Sequence, residues 1–167
     1  MRNVAITLAV TSALVLSAVA GAALPTHGAF AGTTSLRAVN GFDDLVTFNA
    51  SATGKSLKKF QFGTLGCFGT GAFPVGTDPY GAPEALATIK SITVTSKGTF
   101  TVTSKQLLPG TTNNTITTAV VQGTVTAPNK VSGTIAISQS SNGDVCGPTK
   151  MKFTAQPGTP SSLGLNG

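Results

Sequence analysis

The residues in this sequence that could do acid–base chemistry are two carboxylic acids in an unusual segment, Gly66 to Ala85, which reads GCFGTGAFPVGTDPYGAPEA. Asp78 and Glu84 both lie in it. Two carboxylates across a cleft, roughly 5–9.5 Å apart, are the arrangement with which glycoside hydrolases act. The chain holds only five acids, and acids in turns are mostly solvated. A polymer hydrolase using Asp78 and Glu84 is therefore an alternative hypothesis, and we predict that the chain is not an enzyme.

Other chemistries find even less support. His27 is the only histidine, and no Gly-x-Ser-x-Gly elbow accompanies the many serines. Gly66, Gly69 and Gly71 have a G-x-x-G-x-G spacing, which matches neither the dinucleotide fingerprint nor the phosphate loop. The sequence also has no Asp-rich calcium loop. We therefore predict no cofactor and no metal.

The same unusual segment carries three aromatic residues that could form a recognition surface for a cell-surface glycan or protein. Long loops without secondary structure are uncommon and often functional. The other interpretation is that Phe68 and Phe73 are buried beneath the loop. We expect this burial for these two residues, and we expect Tyr80 to be exposed. An extended, rigid loop would instead suit a protease inhibitor. The candidate binding residues are Phe68, Phe73, Asp78 and Tyr80.

The two cysteines are predicted to form a structural disulfide, because cysteines of exported chains usually pair. A Cys67–Cys146 bridge would close a loop of about 80 residues. By lowering the entropy of the unfolded chain, a loop of this length stabilises the fold by roughly 4.5 kcal/mol. Neither cysteine has a C-x-x-C neighbour. Redox and metal roles are therefore disfavoured.

Export is predicted from the amino terminus. Arg2 precedes an uncharged apolar run from Val4 to Ala20, and small-x-small cleavage sites end at Ala20 and Ala31. We expect a leader within residues 1–31, one β domain at 32–155, and a disordered Pro/Gly/Ser-rich tail at 156–167. The mature protein is predicted to be secreted, with no membrane-spanning segment.

The charge of the chain argues against a nucleic-acid partner. Without Arg2, ten basic residues face five acidic ones, a net charge of +5. The lysines are scattered, and Lys58–Lys59 is the only adjacent pair. Nucleic-acid-binding proteins cluster Arg and Lys beside stacking aromatics. We therefore interpret the charge as one that keeps the surface soluble.

Alternation of apolar and polar residues predicts β-strands along the whole mature chain. Residues 45–51 and 56–63 form a first predicted hairpin around Gly54. A second is predicted around Gly98, with Val94 facing Phe100 and Ile92 facing Val102. A further pair places Val125 opposite Val131 and Val121 opposite Ile135, with Pro128-Asn129 in the turn. The last is predicted at Asn142-Gly143, with Met151, Phe153 and Ala155 in phase.

The third of these hairpins also places Gly123 opposite Gly133, which leaves a gap on one face. We expect a bulky side chain from an opposing sheet to fill that gap, rather than a ligand. The strands together predict an antiparallel β-sandwich or partly open barrel of about seven to nine strands.

The layout resembles a group of small exported bacterial domains of unknown function, particularly from actinobacteria. The resemblance is carried by Cys67, the strands GTFTV (98–102), VQGTV (121–125) and VSGTI (131–135), and Cys146-Gly147. It implies a β fold and export and no catalytic residues. The leading hypothesis is a secreted, non-enzymatic module for surface recognition or an envelope-associated structural role.

Overall fold

Eight β-strands make up most of the structure. The computed structural model describes residues 23–35, 45–63, 86–107, 116–141 and 144–165. None of these residues forms a helix that is long and apolar enough to cross a membrane. The predicted all-β class is confirmed. The strands are β1 (Gly28–Thr34), β2 (Leu45–Ala50), β3 (Ser56–Gly63), β4 (Leu86–Thr93), β5 (Thr99–Leu107), β6 (Ile116–Ala127), β7 (Lys130–Ser141) and β8 (Asp144–Pro157), with a 3₁₀ turn at Ser161–Leu163.

The strands form one antiparallel sheet in the order β4-β3-β2-β1-β8-β7-β6-β5. Two four-stranded meanders are thus joined by the pairing of β1 with β8. The edge strands β4 and β5 follow each other in the chain across the short turn at 95–98. The sheet therefore curls until its edges meet, which gives a nearly closed barrel. Of the two predicted architectures, the structure is thus the barrel and not the sandwich.

The two ends of the barrel differ in their connections. Short turns join β2 to β3, β4 to β5 and β6 to β7, and we call this the turn end. At the opposite end β1, β3, β5 and β7 finish and their successors begin, and we call it the loop end. Gly63, Leu86, Leu107 and Ile116, the strand ends on either side of two connections, all lie at the loop end.

Phenylalanine rings fill the part of the interior beneath β1, β2 and β3. Phe48 stacks on Phe30 and Phe60, with ring centroids 5.0 and 5.4 Å apart. Phe60 also meets Phe153 of β8 edge-on at 5.5 Å, a contact that spans the interior between non-adjacent strands. Such pairs contribute about 0.5–1.5 kcal/mol each beyond their buried area. They hold the curled sheet together from inside.

Most of the predicted hairpins are confirmed. Val125 pairs with Val131 and Val121 with Ile135, and Ala127 pairs with Lys130 around the Pro128-Asn129 turn. A register shift between Val125 and Ala127 makes room for this tight turn. The first and last predicted hairpins also form, as β2–β3 and β7–β8. Local turn chemistry therefore identified these pairings.

The predicted β4–β5 ladder is wrong beyond its turn. Gly98 does adopt the left-handed φ of 71°, and Thr95 N–H donates to Thr99 O at 2.8 Å. Past this point β4 pairs only with β3 and β5 only with β6. The two strands belong to different meanders, so the turn joins the edges of the sheet without extending into a ladder.

The gap at Gly123 and Gly133 is filled from within the same sheet. Phe100 of β5 is the cross-strand partner of Gly123, and Phe153 of β8 is that of Gly133. A Cβ on Gly123 would collide with the Phe100 ring, and one on Gly133 would lie 2.7 Å from Cε1 of Phe153. The predicted filling by a bulky side chain holds, but its predicted origin in an opposing sheet is wrong.

The first strand lies partly where the sequence predicts the leader. Gly28–Ala31 form more than half of β1, and Phe30 is only 1% exposed. The residues before it close the turn end, where Thr26 N–H donates to Pro128 O at 2.7 Å. Ala23 and Leu24 pack against the core. Residues 28–31, which the prediction assigns to the leader, therefore lie in β1 in this structure.

Residues 156–165 contact the outer face of the sheet. β8 runs to Pro157, and Gly158 N–H donates to Ala29 O at 2.9 Å. Leu163 and Leu165 line a shallow groove on the outer face of β1 and β8. These contacts are the ones that the described part of the predicted tail, residues 156–165, makes with β1 and β8.

The packing of Phe100 and Phe153 over Gly123 and Gly133 makes a prediction about stability. Gly123→Ala and Gly133→Ala should each lower the free energy of unfolding by at least about 1–3 kcal/mol. The added methyl group would collide with the Phe100 ring at position 123, and with the backbone oxygen of Gln122 and the Phe153 ring at position 133. Urea unfolding measures this. Thr124→Ala, on the exposed face of β6, is the control and should change little. Alanine variants as stable as the wild type would contradict the packing described.

The position of β1 makes a prediction about processing. Cleavage after Ala31 would remove Phe30, and loss of a buried Phe costs about 3–5 kcal/mol by itself. Of the two predicted cleavage sites, the position of β1 therefore favours the one after Ala20, which would leave a chain that begins at Gly21 and keeps His27. Mass spectrometry of the protein isolated from its host measures this. A folded mature protein that starts at Gly32 would contradict it.

Candidate functional site

Most residues that the sequence singles out lie outside the described residues. These are Cys67, Phe68, Phe73, Asp78, Tyr80 and Glu84. The backbone of Cys146 is described, in β8, where it pairs with Gln139 of β7. The disulfide, the aromatic surface and the carboxylate pair therefore stay predictions. The segment from Gly66 to Ala85 connects β3 to β4, whose ends lie at the loop end.

Inside the loop end, three polar residues lie side by side on β5, β6 and β7. Gln106 pairs with Thr117, and Thr117 pairs with Gln139. Each lies an even number of residues from an inward-facing residue on its own strand, and therefore on the same inner face. These inward-facing residues are Val102, Val121 and Ile135. Thr117 and Gln139 are 0% and 1% exposed. We call Gln106, Thr117 and Gln139 the inner polar row.

The hydrogen bonds of the inner polar row are incomplete. Gln139 Nε2 donates to Thr117 Oγ1 at 3.1 Å, whereas Gln139 Oε1 is buried without a hydrogen-bond partner. Gln106 Nε2 is also buried and unpartnered. An unsatisfied buried polar group costs about 1–3 kcal/mol. One donor and one acceptor thus remain available inside the barrel.

Gln106 also bridges the seam between the two edge strands. Its Oε1 accepts a hydrogen bond from the backbone N–H of Thr88 at 3.2 Å. This side chain replaces a ladder bond that β4 and β5 do not make with each other. Because Thr88 N–H needs an acceptor, the bond fixes the orientation of the amide and leaves Nε2 as the unpartnered atom.

On the outer face of the same strand ends lies a row of exposed apolar side chains. Leu107 pairs with Ile116, Ile116 with Ser140, and Ser140 with Val145, so the row crosses four strands. Leu107, Ile116 and Val145 are 60%, 37% and 54% exposed. Among the described residues these are the large hydrophobic side chains with the most exposure.

Next to this row is a groove with a volume of about 200 Å³. Ile116 and Val145 supply its apolar lining, and its other lining residues are Lys105, Thr118, Ser138, Gln139 and Ser140. Hydroxyl groups and one ammonium group therefore border an apolar floor. We call this the outer groove.

The described side chains carry positive charge only. Nine lysines are described, and each is exposed. The described side chains include no carboxylate and no cluster of three or more metal-ligating groups. Lys105 is the lysine that borders the outer groove. The inner polar row can therefore hydrogen-bond a neutral group. The outer groove can hold an apolar group with an anion beside it.

Comparison with known proteins identifies no relative: no protein-family model, curated protein or solved structure matches this chain.

The inner polar row was missed by the sequence analysis although the sequence contains its signal. The alternation that begins at Phe100 and Val102 continues to Ser104 and Gln106. Thr117 likewise precedes Ala119, and Gln139 follows Ile137 on the core face. Following each apolar alternation to the end of its strand would have placed these polar residues in the interior.

The unsatisfied amide makes a prediction about stability. The double variant Gln139→Leu/Thr117→Val should be at least as stable as the wild type, because both partners become apolar and no buried polar atom of the pair stays unpaired. Gln139→Leu alone should be less stable than the double variant, because it leaves Thr117 Oγ1 without its donor. Urea unfolding compares them, with Ser138→Ala on the outer face as control. A double variant about 2 kcal/mol less stable would mean that the pair is structural.

Proposed function

We propose that this protein is an exported, non-enzymatic module that recognises a protein partner at the cell surface through the outer groove. The observation that carries the proposal is the exposed row of Leu107, Ile116 and Val145. The rest of the outer face of β5 and β6 is built from threonines, Gln122 and Lys105, with the small Val120 half-buried. Leu107 and Ile116 are neighbours and Val145 lies beyond Ser140. Exposed apolar side chains grouped in this way on a polar face are typical of an interaction site.

The size of the outer groove favours a protein partner over a small molecule. Small-molecule pockets usually have volumes of about 300–1,000 Å³, whereas this groove has about 200 Å³. Its open form suits a single anchoring side chain of a partner, the kind of contact that dominates protein–protein binding energy. Ser138, Ser140 and Thr118 supply the polar rim that such interfaces have.

The charge at the rim predicts the chemistry of the partner. Lys105 borders the groove, and no carboxylate is described near it. A partner that places an acidic side chain beside its apolar anchor would pair with Lys105. The positive charge of the described lysines would speed the approach of an acidic surface, an effect that salt weakens.

The hydrolase and inhibitor hypotheses both depend on residues between Gly66 and Ala85. No contact of the described residues favours either of them. An envelope-associated structural role would use the same outer face. It differs from recognition only in that the protein would stay bound to its partner permanently.

Binding to the envelope tests the proposal. Leu107→Ser/Val145→Ser should lower the affinity for intact host cells at least about tenfold, because the apolar anchor site is lost. Surface changes of this kind alter stability by only about 0.5 kcal/mol. Lys105→Glu should weaken binding further and reduce its salt dependence. Labelled protein titrated onto cells gives these affinities.

Thr101→Ser/Thr103→Ser, on the same face of β5 but away from the groove, is the matched control and should bind like the wild type. Treating the cells with a protease should abolish binding. Unchanged binding by the groove variants would refute the groove as the site. Binding that survives protease treatment would refute a protein partner.

A further inference from the structure

We propose that the turn end of the barrel lies against an anionic lipid surface while the apolar run from Val4 to Ala20 is held in a bilayer. The surface that meets the lipid is formed by Lys55, Lys97 and Lys130, which we call the turn-end lysines. It includes no residue of the outer groove, so this proposal and the preceding one can fail separately.

Each of the three short turns at the turn end carries one lysine. Lys55 directly precedes β3, Lys97 lies in the turn between β4 and β5, and Lys130 begins β7. All three are exposed, and the described side chains include no carboxylate to neutralise them. The acids of the chain stand before, or at the start of, strands that begin at the loop end: Asp43, Asp44, Asp78, Glu84 and Asp144.

The amino-terminal segment of the barrel touches all three of these turns. A Cβ on Gly98 would lie 2.5 Å from the carbonyl oxygen of Ala23, and one on Gly54 would lie 2.9 Å from that of Pro25. The N–H of the residue after Pro25 donates to Pro128 O at 2.7 Å. The two glycines and Pro128 are one or two positions from the turn-end lysines. The preceding chain therefore leaves the barrel beside all three lysines.

The short link before Ala23 limits how far the turn end can be from a membrane. Residues 4–20 are uncharged and apolar, and segments of about 17–25 such residues can span a bilayer. The link from Ala20 to Ala23 covers at most about 10–11 Å when extended. The potential of an anionic membrane falls off over a Debye length of about 8–10 Å. The turn-end lysines therefore lie within reach of that potential whenever the run is in a bilayer.

The apolar run and the turn-end lysines have different effects on the attachment. The run keeps the barrel close to the bilayer, and the lysines orient it so that the positively charged end faces the lipid. The loop end, with the outer groove, then faces away from the membrane. Stable attachment to a membrane generally takes two such signals. A chain from which the run has been removed should therefore bind lipid only weakly and remain free to use the groove.

Chemical modification of the lysines tests this orientation. The full chain is reconstituted into vesicles of phosphatidylcholine with phosphatidylglycerol, or of phosphatidylcholine alone, and treated with a water-soluble acylating reagent. Mass spectrometry gives the rate at each lysine relative to Lys150, which is exposed on the outer face of β8. The turn-end lysines should react about fivefold more slowly on the anionic vesicles, and high salt should remove the difference. Lys105, at the loop end, should react equally on both.

Two triple variants of equal net charge separate the position of the lysines from their number. The first removes the turn-end lysines by Lys55→Gln, Lys97→Gln and Lys130→Gln. The second removes three exposed lysines between the two ends of β4 and β8, by Lys90→Gln, Lys150→Gln and Lys152→Gln. The first should lower the preference of the full chain for anionic over neutral vesicles at least about tenfold, and the second should keep most of it. Circular dichroism verifies that both variants are folded.

Three results would overturn the proposal. The first is an equal loss of preference in the two variants, which would mean that net charge alone attracts the chain to lipid. The second is an equal acylation rate of the turn-end lysines on the two kinds of vesicle. The third is protection of the same lysines by soluble poly(glycerol phosphate) without vesicles at an equal phosphate concentration, which would assign the turn end to a polymer and not to lipid.

Discussion

The pairing of β1 with β8 is the contact on which the rest of this structure depends. Each four-stranded meander has one apolar face, and neither can bury that face alone. β1 and β8 approach so closely that a Cβ on Gly32 would overlap the carbonyl oxygen of Thr154. This close contact joins the meanders into one sheet. It also brings Phe60 of β3, which stacks on Phe48, against Phe153 of β8. The core forms because the first and the last strand pair with each other.

The same closure explains why the two ends of the barrel have different characters. At the turn end, Ala23 and Leu24 and the tight turns complete an apolar core. At the loop end the interior becomes polar, with Thr117 and Gln139 buried where β6 begins and β7 ends. The edge strands meet there through Gln106 and Thr88 rather than through a ladder. Among the described residues, the unsatisfied polar atoms and the exposed large apolar side chains thus lie at the loop end.

The differences between prediction and structure have identifiable causes. β6–β7 was predicted in its register because a Pro-Asn turn and two alternating strands determine each other locally. The first four residues of β1 fall within the predicted leader because their small side chains also suit a cleavage site. The pairing of β1 with β2 and β8 depends on contacts that no local pattern shows. The Phe100–Val102 strand was paired with the wrong neighbour because its turn is compatible with a ladder. The inner polar row went unnoticed because Gln106 and Gln139 are ordinary residues until their strands are known to face inward.

The sequence by itself determined the all-β class, the approximate number of strands and most of the local hairpins, because these follow from alternation and turn residues within about 25 positions of the chain. Only the tertiary structure decided that the sheet closes as a barrel, since closure depends on β1 and β8, which are more than 100 residues apart. It also decided which polar residues lie inside and which apolar residues lie outside at the loop end. Both outcomes depend on how neighbouring strands are staggered, and that stagger is a property of the whole closed sheet rather than of any one segment.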